Sequence, residues 1–286
     1  QCPRLTTIYL APYRRYRLCL VPMCLEPYSQ RSEMPDKNYN TPKILTRDNG
    51  ASIAYYKVEG KLPGIIFMTG FMSDMRGSKA LALETLCRDL GHAFLRFDYQ
   101  GHGESSGKFE QGTIGLWAED ALAVFDTLTE GPQIIVGSSM GGWIMLLTAL
   151  ARSNRVAGLV GIAAAPDFTE DLLPESLTEE NLQTIKKEGF VVIPSDYEDP
   201  YTITRALLDE GAKHILLNDK IPLDCPVRLI QGLEDTSVPW ERAIVLQEKL
   251  LSEDVEVILV KGGDHRLSED RDLERLKNII YNLLSY

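Results

Sequence analysis

From residue 43 onward, short apolar runs alternate with amphipathic stretches, as in chains whose strands are each followed by a helix. The predicted strands are 44–46, 53–57, 65–68, 93–97, 134–136, 156–163, 227–230 and 255–260, and the predicted helices are 78–90, 114–128, 143–151, 241–251 and 272–284. Asn49-Gly50 predicts a tight turn between the first two strands. A hairpin followed by strand–helix alternation predicts an α/β fold with a mostly parallel central sheet and helices on both faces.

Residues 166–222 interrupt this alternation with acidic residues, prolines and short helical pieces. Long insertions in compact domains are usually functional, which favours a cap over an active site. The alternative is a surface excursion that does not touch substrate. Among its apolar side chains, Phe168, Leu173 and Phe190 are the candidates for contact with an apolar substrate.

The charge, the apolar runs and the cysteines of the chain exclude several classes of partner and site. The net charge of −11 argues against nucleic acid, because phosphate binding requires a basic face. No apolar run is long enough to span a bilayer. The five cysteines form no C-x-x-C pair and follow no metal-ligand spacing, which favours free thiols in a reducing compartment.

The N-terminal segment differs from the rest of the chain. Residues 1–32 contain five arginines and a single acidic residue, a composition typical of a mitochondrial transit peptide. The alternatives are a basic tail without an addressing role and a cytoplasmic location. The predicted organisation is therefore a basic segment at 1–42 and a domain at 43–286, with the insertion at about 166–222.

The stretch Gly137-Ser138-Ser139-Met140-Gly141 lies between an apolar run and a predicted helix. G-x-S-x-G in this position is typical of the nucleophile elbow of an α/β-hydrolase. The glycines permit a tight turn with Ser139 at its apex, whereas Ser138 would lie off the apex. Because the pentapeptide alone also fits an ordinary loop, an acid and a histidine must follow in order.

A serine nucleophile needs a base, and the chain has four histidines. Only His265 follows a predicted strand downstream of the elbow, after two glycines. His92 precedes a strand, which puts it at the wrong edge of the sheet. His102 precedes the elbow, and His214 lies in the insertion. His265 is therefore the predicted base.

The base needs a carboxylate that fixes its tautomer. Asp235 follows the strand at 227–230 in a Gly-x-x-Asp-x-x-Val-Pro turn and is the predicted acid, with Glu234 as the runner-up. Asp264, next to His265 in the chain, is expected to stabilise its own loop. Asp98 is expected to brace a turn between a strand and a glycine-rich loop.

The oxyanion of an acyl-transfer reaction needs two donors. One is expected to be the backbone N–H of Met140, the residue after the nucleophile. The other is expected from the loop after the strand at 65–68, where Phe71 follows a glycine.

Several segments are similar to the mitochondrial α/β-hydrolase domain-containing protein ten group. They are Leu62–Phe67, Lys79–Ala82, Arg96–Tyr99, Gly131–Ile134, Gly137–Trp143 and Val238–Trp240. The resemblance covers roughly residues 43–286 and departs at Thr69, where many relatives have histidine. It implies a triad of Ser139, Asp235 and His265, and it supports the transit-peptide prediction.

That group is known for palmitoyl-protein thioesterase and acyl-glucuronide esterase activity. The expected function is hydrolysis of thioesters or esters of hydrophobic acyl groups through an acyl-enzyme, with acyl esters or S-acylated proteins as substrates. No metal or organic cofactor is expected, and the chain is expected to be a monomer. The alternatives are a peptidase, a carbon–carbon bond hydrolase and a catalytically silent ligand-binding or interaction protein, because a fold does not imply a function.

Overall fold

An eight-stranded sheet is the centre of the fold in the computed structural model, which describes residues 41–194 and 200–285. Its strands are β1 (Lys43–Thr46), β2 (Ser52–Val58), β3 (Lys61–Met68), β4 (His92–Phe97), β5 (Gln133–Ser138), β6 (Val156–Ile162), β9 (Val227–Gly232) and β10 (Val255–Val260). The strands between β6 and β9 in the chain, β7 (Phe190–Ile193) and β8 (Tyr201–Thr204), form a separate antiparallel pair. Residues 1–40 of the predicted transit peptide lie outside the described residues.

The sheet order is β1-β2-β4-β3-β5-β6-β9-β10. The β1–β2 and β2–β4 pairs are antiparallel, and every pair from β4 to β10 is parallel. The mostly parallel α/β-hydrolase sheet that the sequence predicts is confirmed. Because β3, β5, β9 and β10 run in one direction, the loops that follow them meet at one edge of the sheet.

Helices cover both faces of the sheet. They are α1 (Ser78–Leu90), α2 (Ile114–Leu128), α3 (Met140–Ala151), α7 (Glu241–Lys249) and α8 (Asp270–Leu284), with α4 (Leu172–Ser176), α5 (Glu179–Glu188) and α6 (Arg205–Gly211) in the insertion. In β3, Ile66 and Met68 pack with α2, α3 and α7, whereas Ile65 and Phe67 pack with α1 and α8. Both faces of the strand are therefore buried, which explains its continuous apolar run.

The insertion contains an element that the sequence pattern does not reveal. The β7–β8 pair covers a small apolar cluster of Leu177, Ile185, Val191 and Ile203. Strand β7 is apolar at all four positions, Phe190–Ile193, so no alternation of apolar and polar residues marks it in the sequence.

No helix among residues 41–194 and 200–285 combines the length and the apolar character needed to cross a membrane.

Candidate active site

Ser139 occupies the turn between β5 and α3 in a strained backbone conformation. Its φ is 55° and its ψ is −121°, a combination that residues with a side chain rarely adopt. Its backbone N–H donates to the carbonyl of Ile162 at 2.9 Å, so the turn is fastened to the neighbouring strand β6. The strain is thus held by the sheet, and the side chain projects at the carboxyl edge.

Two glycines of the pentapeptide are required by close backbone contacts. A Cβ on Gly137 would lie 2.3 Å from the carbonyl oxygen of Gly141, and a Cβ on Gly141 would lie 2.2 Å from the carbonyl oxygen of Met68. Real Cβ atoms are essentially never this close to a backbone atom. The start of α3 therefore packs directly against the ends of β3 and β5, which places Ser139 beside the loop after β3.

His265 links the serine to a carboxylate. Its Nε2 lies 3.1 Å from Oγ of Ser139, and its Nδ1 lies 2.8 Å from Oδ2 of Asp235. The side chain of Asp235 is fully buried, whereas that of His265 is 21% exposed. With Nδ1 donating its proton to the carboxylate, Nε2 accepts the hydroxyl proton of Ser139, which is the arrangement of a nucleophile with its base.

Both oxygens of the Asp235 carboxylate accept hydrogen bonds. Oδ1 accepts hydrogen bonds from the backbone N–H groups of Ser237 and Val238, both at 2.8 Å, and Oδ2 accepts one from Nε2 of Gln231 at 2.9 Å. These three hydrogen bonds fix the orientation of the carboxylate toward the imidazole. Glu234 instead has an exposed side chain, so the structure brings Asp235 to His265.

Gln231 supports Asp235 and is absent from the set of site residues that the sequence predicts. It lies in β9 with an exposed fraction of 1%, and its amide also donates to the carbonyl of Val238 at 3.0 Å. A polar residue at the end of an otherwise buried apolar strand is the signal that could have revealed it, because buried amides need partners.

The loop that carries His265 is built against the loop that carries Asp235. A Cβ on Gly232 would lie 2.2 Å from the carbonyl oxygen of Gly263, so the two segments touch through their backbones. Asp264 accepts a hydrogen bond from the backbone N–H of Leu267 at 2.9 Å, which is the loop-stabilising role predicted for it.

The two predicted oxyanion donors flank the serine. Met140 is the first residue of α3, and a Cβ on Gly70 would lie 4.0 Å from Oγ of Ser139, so the Phe71 loop reaches the nucleophile. Neither backbone N–H, of Met140 or of Phe71, takes part in the hydrogen bonds found within residues 41–194 and 200–285. Both are thus free to donate to a developing oxyanion.

The side chain of Phe71 connects the main core to the insertion. Its ring meets those of Phe109 and Trp117 at centroid distances of 4.8 and 6.0 Å, and those of Phe168 and Tyr201 at 5.9 and 5.7 Å. The four contacts are edge-to-face, a favourable geometry for aromatic pairs. An apolar wall from the insertion, which includes Phe168 and Tyr201, therefore lies directly beside the loop that carries Phe71.

The three predicted substrate-contacting side chains of the insertion differ in position. Phe168 contacts Phe71, and Leu173 packs against both the main core and the cluster under β7. Phe190 is 47% exposed, since alternation along β7 buries Val191 and turns Phe190 to the other face. Tyr201, which is not among the predicted substrate contacts, contacts Phe71 instead.

The remaining histidines have other partners. His102 is packed among the rings of Tyr99, Phe109 and Trp117, and burial lowers its pKa to about 4, which keeps it neutral. His214 pairs with a glutamate of α6, and Nδ1 of His92 lies 2.9 Å from a backbone carbonyl at the opposite edge of the sheet.

Asp98 braces a turn, as the sequence predicts. Its carboxylate accepts hydrogen bonds from the backbone N–H groups of Met75 at 2.7 Å and Glu104 at 2.9 Å. Burial raises the pKa of Asp98, and the two backbone donors oppose that shift. The residue ties the β4 loop to the segment that precedes α1.

Comparisons with known proteins identify close relatives. A family model described as serine aminopeptidase, S33, matches residues 65–191. The palmitoyl-protein thioesterase ABHD10, mitochondrial, of Bos taurus is 43% identical over 84% of this chain and 79% of its own, and that of Rattus norvegicus is 44% identical over 85% and 82%.

Two solved structures share the fold and much of the sequence. The mouse alpha/beta hydrolase domain-containing protein 10 superposes with a TM-score of 0.79 at 41% identity, over 86% of this chain and 98% of that one. A putative hydrolase from Agrobacterium vitis S4 superposes with a TM-score of 0.81 at 38% identity, over 85% and 98%.

Proposed function

Because the chain belongs to the ABHD10 family of α/β-hydrolases, we propose that it is a serine hydrolase that cleaves thioesters of hydrophobic acyl groups. The observation that carries the proposal is the continuous hydrogen-bonded series from Asp235 through His265 to Ser139. S-palmitoylated proteins are the proposed substrates, since the relatives are named palmitoyl-protein thioesterases.

The proposed reaction proceeds through an acyl-enzyme. Ser139 Oγ attacks the thioester carbonyl while Nε2 of His265 takes its proton, and the amides of Met140 and Phe71 donate to the oxyanion. The carbon–sulfur bond then breaks, and His265 protonates the departing thiolate. Water, deprotonated by His265, then attacks the acyl carbonyl, the bond between that carbon and Oγ of Ser139 breaks, and His265 returns the proton to Oγ as the carboxylic acid leaves. Asp235 accepts the hydrogen bond from Nδ1 of His265 and holds the imidazole in the required tautomer.

A fluorophosphonate probe tests the proposal together with a panel of substrates. We expect the probe to label Ser139 and the purified protein to cleave acyl thioesters much faster than peptides. Acyl glucuronides belong in the panel, since an ester would pass through the same acyl-enzyme. A protein that neither labels nor hydrolyses any member would be a silent binding protein, and preferred cleavage of peptides would make it a peptidase.

We propose further that the insertion at about 166–222 is a cap that buries the acyl chain. Its described part is closed on itself and fastened to the main domain. Within the insertion, Asp167 accepts from the backbone N–H groups of Leu216 and Leu217. Arg242 of α7, in the main domain, pairs with Asp171 of the insertion. Phe71 and Leu173 pack against both the main core and the cluster under β7, so the apolar wall is continuous with the site.

Trimming this wall should reduce the preference for long acyl chains. Each methylene buried in an apolar site stabilises binding by about 0.8 kcal/mol, or roughly fourfold in kcat/KM. We expect Phe168→Ala and Leu173→Ala to flatten the rise of kcat/KM with chain length. Phe190→Ala is the matched control, because Phe190 faces away from the wall. Lower melting temperatures with unchanged chain-length preference would assign the wall to packing alone.

The proposed location is the mitochondrion, because the relatives are named mitochondrial. Residues 1–42 are the proposed transit peptide, followed by the hydrolase domain at 43–286. A fluorescent fusion of the full-length protein should colocalise with mitochondria, and a diffuse cytosolic signal would contradict the assignment. The expectation of a monomer stays a prediction.

A further inference from the structure

Lys79 connects the first helix to the loop that carries His265. It is the second residue of α1, and its Nζ donates a hydrogen bond to the backbone carbonyl of Arg266, the residue that follows His265, at 2.5 Å. The two residues are 187 positions apart in the chain. The contact therefore joins the first turn of α1 to the β10–α8 connection.

The position of Lys79 is unfavourable for the helix itself. The first turn of a helix has a partial positive charge, so a lysine there is electrostatically disfavoured. No acidic residue lies in the first turn of α1 to offset it. The charges that attract the ammonium group come from the neighbouring segment, namely Asp264 beside the histidine and Asp272 in α8.

The loop around His265 is held on both sides. On the Asp235 side, the backbone N–H of Glu234 donates to the carbonyl of Gly263 at 2.9 Å. On the other side, Lys79 holds the carbonyl of Arg266 from α1. Helices α1 and α8 pack through one apolar cluster that includes Leu83 and Leu276. This packing fixes the position of α1, and therefore of Lys79, relative to the start of α8.

We propose that Lys79 is a positioning residue for hydrolysis: from α1 it fixes the backbone next to His265 and so keeps the imidazole aligned with Ser139. The inference rests on the proposed function of the triad. Catalytic alignment is sensitive to small shifts, and a displacement of about 1 Å can reduce the rate by up to 10²-fold. Without the anchor, the imidazole would sample orientations in which Nε2 cannot reach the hydroxyl.

The charge of Lys79 gives this role a pH dependence. Burial, with the positive charge of Arg266, lowers the pKa of Lys79 to about 8, and Asp264 and Asp272 oppose the shift. As the pH rises through this value, the ammonium becomes a neutral amine. A neutral amine donates a weaker hydrogen bond than a charged one. The anchor on Arg266 is then loosened.

The first test compares Lys79→Met, Lys79→Arg and the control Lys277→Met, which removes a lysine paired with Glu274 on the surface of α8. We expect Lys79→Met to lower kcat and the rate of fluorophosphonate labelling about tenfold with KM unchanged. Lys79→Arg should recover most of the loss, and Lys277→Met should match the wild type. Equal labelling rates in wild type and folded Lys79→Met would overturn the inference.

The second test is the pH profile of kcat. Activity of the wild type should decline as the pH rises above about 8, and Lys79→Arg should extend the plateau, because guanidinium stays protonated. This comparison decides the matter if Lys79→Met does not fold. Superimposable alkaline limbs for wild type and Lys79→Arg would refute the role of Lys79. Absence of labelling in the wild type would instead refute the proposed function, so the two failures are distinguishable.

Discussion

Replacing Ser139 with alanine should lower kcat for an acyl thioester by a factor on the order of 10⁶. The substitution removes the hydroxyl that forms the proposed acyl bond, and Nε2 of His265 lies 3.1 Å from that hydroxyl. Alanine keeps the Cβ that the strained φ of 55° already accommodates, so the fold should be unaffected. Single-turnover kinetics and the melting temperature measure the two expectations separately.

Ser138→Ala is the matched control for this substitution. Ser138 is the last residue of β5 and is 8% exposed, and the structure gives it no bond to His265 among the described residues. Its replacement should leave kcat within a few-fold of the wild type. Near-normal turnover in Ser139→Ala, together with loss of turnover in Ser138→Ala, would move the nucleophile to Ser138.

Asp235→Asn should lower kcat by about 10⁴, following the precedent of serine proteases. Backbone donors occupy Oδ1, so the asparagine oxygen would take that position and the amide NH₂ would face His265. An NH₂ group cannot accept from Nδ1–H, and the imidazole would therefore carry its proton on Nε2, the atom that must accept the serine proton.

The same substitution should also lower the melting temperature. The amide NH₂ would face Nε2 of Gln231, so two donors would oppose each other in a buried site. Glu234→Gln is the control, because Glu234 is exposed, and it should leave both kcat and stability nearly unchanged. Full activity in Asp235→Asn, with a large loss in Glu234→Gln, would transfer the acid to Glu234.

The regular elements could be predicted because their patterns are local. The helices at Ser78–Leu90 and Ile114–Leu128 and the strand at Val255–Val260 have the predicted bounds. The helix after the serine begins at Met140, three residues earlier than predicted, because the elbow turns directly into α3. The first turn of this helix contains Gly141 and Gly142, which have no side chains, so no apolar periodicity marks it in the sequence.

The strand pair of the insertion and the direction in which its side chains point could not be predicted from the sequence. Phe190, Val191 and Val192 form a continuous apolar run, and their alternation became visible only when β7 paired with β8. The face of β7 that is buried is set by its contacts with α5 and with the loop that carries Phe71. The sequence therefore identified Phe168 and Leu173 among the apolar wall but could not separate Phe190 from them.

By itself, the sequence determined the fold class, the family and the order of the serine, acid and histidine. These depend on periodicity, turn chemistry and motif spacing, which neighbouring residues in the chain encode. The tertiary structure alone decided the 2.8 and 3.1 Å distances of the Asp235–His265–Ser139 series, the support of Asp235 by Gln231 and the anchor from Lys79 to Arg266. The Gln231–Asp235 contact is local in the chain, but it depends on the turn that follows β9. The other contacts join segments that are far apart in the chain, and they exist only because parallel strands and packed helices bring the segments to one edge of the sheet.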